Sequence, residues 1–135
     1  MSRMNEACKK VLDSVADAIA CGVLDLEHRN TLEVAHIPQF SNEQQEVTSQ
    51  AIMNLFQGTN ARQLAHQVHA QLGKQDTEEK DFNEIQMAFQ KHFYFSKAVK
   101  SGKAAVLLIT KETTNIGMAW VQLKSIIPVV EPLIP

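Results

Sequence analysis

The sequence holds 135 residues, 44% apolar and 21% charged, with a formal net charge of −2. That length suits a single domain over 1–135, able to bury roughly two-thirds of its unfolded surface, and the composition is globular rather than disordered. Lys and Arg are not clustered and no apolar run reaches the length of a membrane span, so nucleic acid and the membrane are excluded as expected partners.

The opening MSRMNEACKK has no apolar h-region, so no secretory signal is expected. Cys8 and Cys21 sit among apolar neighbours. The expectation is a cytoplasmic chain with reduced, buried thiols, and nothing favours a disulfide between them.

Met4, Ala7, Cys8, Val11, Leu12, Val15, Ala16 and Ile19 recur at steps of three and four, which predicts a first helix from about Arg3 to Ile19. A strand follows at about Ala20 to Leu26, with Cys21, Val23 and Asp25 on one face and Gly22, Leu24 and Leu26 on the other. A bend at Glu27 to Asn30 leads to a second strand, about Thr31 to Ile37, ended by Pro38. Ser41 with Gln44 fits a capping box. The helix it starts carries a stripe of Val47, Ala51, Ile52, Leu55 and Phe56, with Gly58 as its expected cap. Leu64, Ala65, Val68 and Leu72 mark a second helical segment at about Ala61 to Leu72; the pattern leaves open whether the two join.

After a charged loop at Lys74 to Lys80, Ile85, Met87 and Phe89 alternate with Glu84, Gln86, Ala88 and Gln90. Period two with one wet face predicts a third strand at a sheet edge. A fourth, about His92 to Val99, puts Phe93 and Phe95 on one face and His92, Tyr94 and Ser96 on the other. The bend between them, Gln90-Lys91, lacks the Asn-Gly type of sequence that tight turns prefer; Ser101-Gly102 suits its bend better. Ala104 to Ile109 is an unbroken run rich in branched residues, which predicts a central strand buried on both faces. Thr113 or Thr114 would cap a last helix with a stripe of Ile116, Ala119, Trp120, Leu123, Ile126 and Ile127. Gly117 in its first turn would permit close approach to the sheet, at a cost of about 1 kcal/mol relative to Ala. Pro128 and Pro132 end it, and the apolar tail Val129 to Pro135 either docks on the body or meets a partner.

The order helix, two strands, helix, three strands, helix predicts an α/β (α+β) domain with one five-stranded antiparallel sheet and helices on both faces. CGVLDLEHRNTLEVAH, QAIMNLFQG and AAVLLITKETTNIGMAW, in that order and with those lengths between them, resemble the roadblock family related to the dynein light chain. The similarity is to bacterial roadblock-like proteins, on Gly22, Val23, Asp25 and Leu26, and on Thr110, Lys111, Thr113, Thr114, Asn115, Gly117 and Met118. The resemblance implies a profilin/roadblock-like three-layer α/β/α fold with sheet order 2-1-5-4-3, helix 2 on one face and helices 1 and 3 on the other. It also implies a non-enzymatic scaffold without cofactor, which dimerises through third strands and second helices and binds other proteins, small GTPases among them.

The residues alone point to the same surface, because a long unblocked edge strand tends to pair with another chain. The expected interface on that strand is Ile85, Gln86, Met87 and Phe89, to which the resemblance adds Ala51 and Leu55 of the second helix. Other groups carry simpler readings. His66 and His69 share a helix face but lack the further ligands a metal needs. Cys21 and His36 could form a nucleophile and base, yet an inert thiol in a strand fits better. Asp25 suits turn stabilisation, the Thr113-to-Gly117 turn suits capping rather than anion binding, and Trp120 suits the core. The alternative function is a small-ligand sensor, with Phe82, Phe93, Tyr94 and Phe95 as its aromatic wall.

Overall fold

The structure is a computed structural model that describes residues 2–58, 63, 64, 67 and 83–135. Helix α1 spans Arg3–Ser14, β1 Ala18–Asp25, β2 Asn30–His36, α2 Asn42–Gln57, β3 Glu84–Phe89, β4 His92–Val99 and β5 Ala104–Lys111. Helix α3 spans Ile116–Ser125 and is followed by a short turn of helix, α4, at Ile127–Val130 and a 3-10 turn at Glu131–Leu133. The five strands form one antiparallel sheet in the order β2-β1-β5-β4-β3, as expected. The Ala61 to Leu72 segment lies outside the described residues except for Gln63, Leu64 and Gln67, which are helical.

The sheet separates two apolar clusters. Alternate residues Cys21 and Val23 of β1, Phe95 and Val99 of β4, and Val106 and Leu108 of β5 face α1 and α3, where Cys8, Val11, Ala119 and Leu123 cover them. The other alternates, Leu24, Leu107 and Ile109, face Ile52, Met53 and Phe56 of α2. Apart from Lys111 at its end, β5 is buried throughout, which is what a strand covered on both faces requires. Gly22 sits tight against β2: a Cβ there would meet the Glu33 carbonyl oxygen at 2.9 Å.

Several boundaries differ from the pattern. α1 stops at Ser14, five residues short, because the chain turns through Asp17 at φ 64° and begins β1 at Ala18. Ile19 therefore alternates into the α2-side cluster instead of completing the helical stripe. The expected stripe of α2 divides in two: Ile52 and Phe56 are buried, joined by Met53, which the stripe did not include, whereas Val47, Ala51 and Leu55 point away from the sheet. The Ser41–Gln44 capping box forms in full, and Gly58 caps the other end in extended conformation rather than left-handed.

Asn115, not Thr113 or Thr114, caps α3, its Oδ1 accepting from the Met118 N–H at 2.9 Å. The two threonines instead tie this turn to the bend between α1 and β1: Thr113 donates to Asp17 Oδ2 and Thr114 to the Ala16 carbonyl. Gly117 makes no close approach, since a Cβ there would meet only Asn115 Oδ1 at 3.5 Å. The prolines do not end the helical path, as Pro128 sits in the first turn of α4 and Pro132 in the 3-10 turn. The tail docks on the body. Val130 and Ile134 are buried, and Lys100 binds it through its N–H to Glu131 Oε2 at 2.8 Å and through Nζ to the Ile134 carbonyl.

Candidate interaction surface

Strand β3 pairs only with β4 among the described residues. Which of its backbone groups remain free follows from the hairpin. A two-residue bend, Gln90-Lys91, joins the strands, so the flanking Phe89 and His92 form a hydrogen-bonded pair and the alternation runs back along odd-numbered residues. The bond from the Ala98 N–H to the Asn83 carbonyl, 2.8 Å, fits that phase. The N–H and C=O groups of Glu84, Gln86 and Ala88 consequently point outward along the open edge.

The two faces of β3 differ. Ile85 and Met87 are half-buried against the cluster that holds Ile52, Met53 and Phe56, and Phe89 at the end of the row is 60% exposed. On the outer side of α2, Val47, Ala51 and Leu55 lie four residues apart, one above another, with Val47 63% exposed. Of the six expected interface residues, Ala51, Leu55, Gln86 and Phe89 are thus exposed, and Ile85 and Met87 are shared with the core.

The opposite face of β3 is polar and tied to α3. Glu84 Oε2 lies 3.2 Å from both Lys97 Nζ and Lys124 Nζ. Partial burial pushes the Glu84 carboxyl up, but hydrogen bonds from the two lysines outweigh it and hold the group below its ordinary value. Trp120 donates its indole N–H to Gln86 Oε1. Its ring meets Phe95 edge-on, with centroids 5.3 Å apart, and carries Lys124 Nζ at 5.1 Å from its centre. Trp120 is half-buried and belongs to the margin of the core, largely as expected.

At the far end of the molecule the β1–β2 bend is built around Asp25. Its carboxylate accepts from the His28 N–H at 2.9 Å and meets His28 Nδ1 at 2.8 Å. Burial pushes Asp25 up, but these bonds outweigh it and leave the group below its usual value, while the same contact raises His28. Arg29, at φ 55°, reaches from the bend to three side-chain amide oxygens of α2: Gln57, Gln50 at 3.2 Å and Asn54 at 2.7 Å. Sequence reading missed this link. A lone basic residue in a bend carries no signal of its distant partners.

Cys21 is wholly buried beside Cys8, and a hydrogen bond with that thiol, with burial, pushes its pKa well up, the opposite of an activated nucleophile. His36 points to solvent and bonds the Ile37 carbonyl through Nδ1. His66 and His69 lie outside the described residues, among which no group of three metal-ligating side chains occurs. The expected aromatic wall does not form as one surface: Phe93 and Phe95 face α3 while Tyr94 faces α2, and Phe82 lies outside the described residues. A cavity of about 220 Å³ lies between α2 and strands β1, β2 and β5, lined by Ala20, Gly22, Leu24, Val34, Ser49 and Leu107. No described helix is long and apolar enough to cross a membrane.

No family model matches the chain, and no curated protein matches it in sequence. Solved structures do match, over nearly the whole chain. The Roadblock/LC7 domain from Streptomyces avermitilis superposes with a TM-score of 0.72 at 9% identity, covering 98% of each chain. Myxococcus xanthus MglB gives 0.72 at 13% identity, covering 98% of this chain and 95% of that one. MglC from Myxococcus xanthus gives 0.63 at 14% identity, covering 98% and 100%. The chain therefore has the roadblock/LC7 fold, the fold of Roadblock/LC7 domains and of MglB and MglC.

Proposed function

We propose that this chain is a non-enzymatic, homodimeric scaffold of the cytoplasm, which binds another protein and, within the class its resemblance implies, a small GTPase. The observation that carries the reading is the edge of β3, which pairs only with β4 among the described residues, together with the outward stripe of Val47, Ala51 and Leu55 on α2. An edge strand with outward backbone groups invites another strand, and an exposed apolar helix row offers area that a second copy can cover. One solved structure of the same fold is MglB with a tetrameric arrangement, which supports self-association as a habit of the fold.

Light scattering on the purified chain at tens of micromolar tests the dimer. Twice the chain mass is expected, and Met87→Lys with Phe89→Lys is expected to reduce it to one; a strict monomer overturns the reading. Binding of small GTPases encoded in the same genome, loaded in turn with GDP and GTP, tests the partner class. Equal lack of binding in both states removes the GTPase from the proposal.

A further inference from the structure

We infer that the trough between α2 and the sheet binds a medium-chain aliphatic carboxylate, its tail over β1 and β5 and its carboxylate at Lys111 and His92. This site uses the side of α2 opposite the outward stripe, so it does not depend on self-association.

The inner part of the trough arises from what the chain omits. The buried residues of α2 are Ser49, Ile52, Met53 and Phe56, and none precedes Ser49. Its first half therefore roofs the sheet with Gln45 and Thr48 instead of a large apolar side chain. Beneath it, β1 contributes the small residues Ala20 and Gly22 to the floor, beside Leu107 and Ile109 of β5. Short polar groups above and small ones below leave the cavity of about 220 Å³. An aliphatic cavity of about 150 Å³ accepts benzene, so this one has room for an apolar body of roughly six to ten carbons.

Phe40 and Ile109 line that cavity and also a second, wider hollow of about 450 Å³. The two hollows are therefore neighbours with a common wall. Phe40 is fixed there by its backbone: its N–H donates to the Ile37 carbonyl at 3.1 Å, and its carbonyl accepts from Gln45 Nε2 at 3.3 Å.

The wider hollow carries the polar end. His92 and Lys111 are direct partners across β4 and β5, and Tyr94 is the partner of Ile109. Alternation puts all four on the α2 side, where they line the hollow together. This row offers an ammonium group, an imidazole N–H and a phenolic O–H, all of which donate to a carboxylate. Among the described residues, none of these three side chains has a hydrogen-bond or ion-pair partner. No described acidic residue lines this hollow, whereas Glu46 lines the inner cavity. The order of charge seats an anionic head at Lys111 and sends the tail inward past Phe40.

Calorimetric titration of the full chain with octanoate tests the site. Saturable binding of about one octanoate per chain is expected, with a Kd below about 1 mM; its absence overturns the inference. Octylamine has the same tail and the opposite head, and 1-octanol has the same tail and no charge. Both should bind several-fold more weakly than octanoate, and equal binding of the three overturns the assigned head site.

Two variants locate the ligand. Lys111→Gln combined with His92→Gln lies at the end of the strands and outside the core; it should weaken octanoate about tenfold and erase the preference for it over 1-octanol. Ala20→Leu fills the inner cavity and should weaken octanoate and 1-octanol alike, with circular dichroism showing that the variant is folded. Unchanged octanoate affinity in the Lys111 and His92 variant, or in folded Ala20→Leu, overturns the inference. If Ala20→Leu does not fold, the Lys111 and His92 variant decides alone.

Discussion

Trp120 holds Gln86 across the gap between α3 and the edge strand, its indole Nε1 donating to the amide oxygen at 2.6 Å. The same ring is packed edge-on against Phe95, which is wholly buried between β4 and α3. One aromatic side chain thus fixes an outward-facing residue of β3 to the core beneath it.

Trp120→Phe should keep most of the ring contact and lose the hydrogen bond, costing about 0.5–1 kcal/mol because Gln86 can turn to water. Trp120→Ala should cost about 2 kcal/mol or more, as the contact with Phe95 goes too. Urea unfolding of the two variants checks this. Equal losses would mean that the hydrogen bond, not the ring, holds the strand.

The Asp25–His28 contact predicts a pH window. The pKa of His28 is raised by the carboxylate, so its stabilisation is complete below about pH 6.5 and fades as pH rises through the raised value. The pKa of Asp25 is lowered, so its stabilisation is present above about pH 4 and fades as pH falls through the lowered value. Both contribute fully only between those limits. The melting temperature of His28→Ala should fall furthest below that of the unmodified chain between those two limits, and the gap should narrow as pH rises through the raised His28 value. A gap independent of pH would show that only the backbone N–H of His28 matters.

Two glycines should respond in opposite directions. Gly22→Ala brings a methyl group to 2.9 Å from the Glu33 carbonyl oxygen of the neighbouring edge strand β2 and should cost about 1–3 kcal/mol. Gly117→Ala meets nothing closer than 3.5 Å within a helix and should stabilise by up to about 1 kcal/mol. Denaturant midpoints decide both.

Gln90 and Lys91 adopt φ of 48° and 69°, the left-handed values that a two-residue hairpin bend requires, although neither residue favours them. Replacing the pair by Asn-Gly should stabilise the chain by about 1 kcal/mol or more, measured by thermal unfolding. A loss of stability would mean that contacts of these side chains outweigh the relieved backbone.

The bend also shows why some features were legible in the sequence and others were not. The unbroken apolar run from Ala104 to Ile109 could be read as a central strand because burial on both faces leaves no polar position. The spacing of Ser41 and Gln44 specified its capping box because both partners are local. The end of α1 was not legible, since Val15, Ala16 and Ile19 continue a helical spacing while Asp17 turns the chain. On α2, two adjacent stripes satisfy the same period, and only the sheet decides that Ile52 and Phe56 are covered while Val47 and Leu55 are not. The α3 cap moved to Asn115 because Thr113 and Thr114 are engaged by Asp17 and Ala16 from the far end of the chain. The candidate surface was legible on β3 through its alternation, whereas the grip of Arg29 on α2 spans too many residues for any local pattern to show.

The burial of β5 set against the openness of β3 makes the sheet a graded material rather than a uniform one. Amide hydrogens should be held longest at its middle and shortest at its margin, so the rim can gain or lose a neighbour while the centre stays intact. Association would then register as a slowing of deuterium uptake confined to three amides, those of Glu84, Gln86 and Ala88, and the chain could exchange companions without melting.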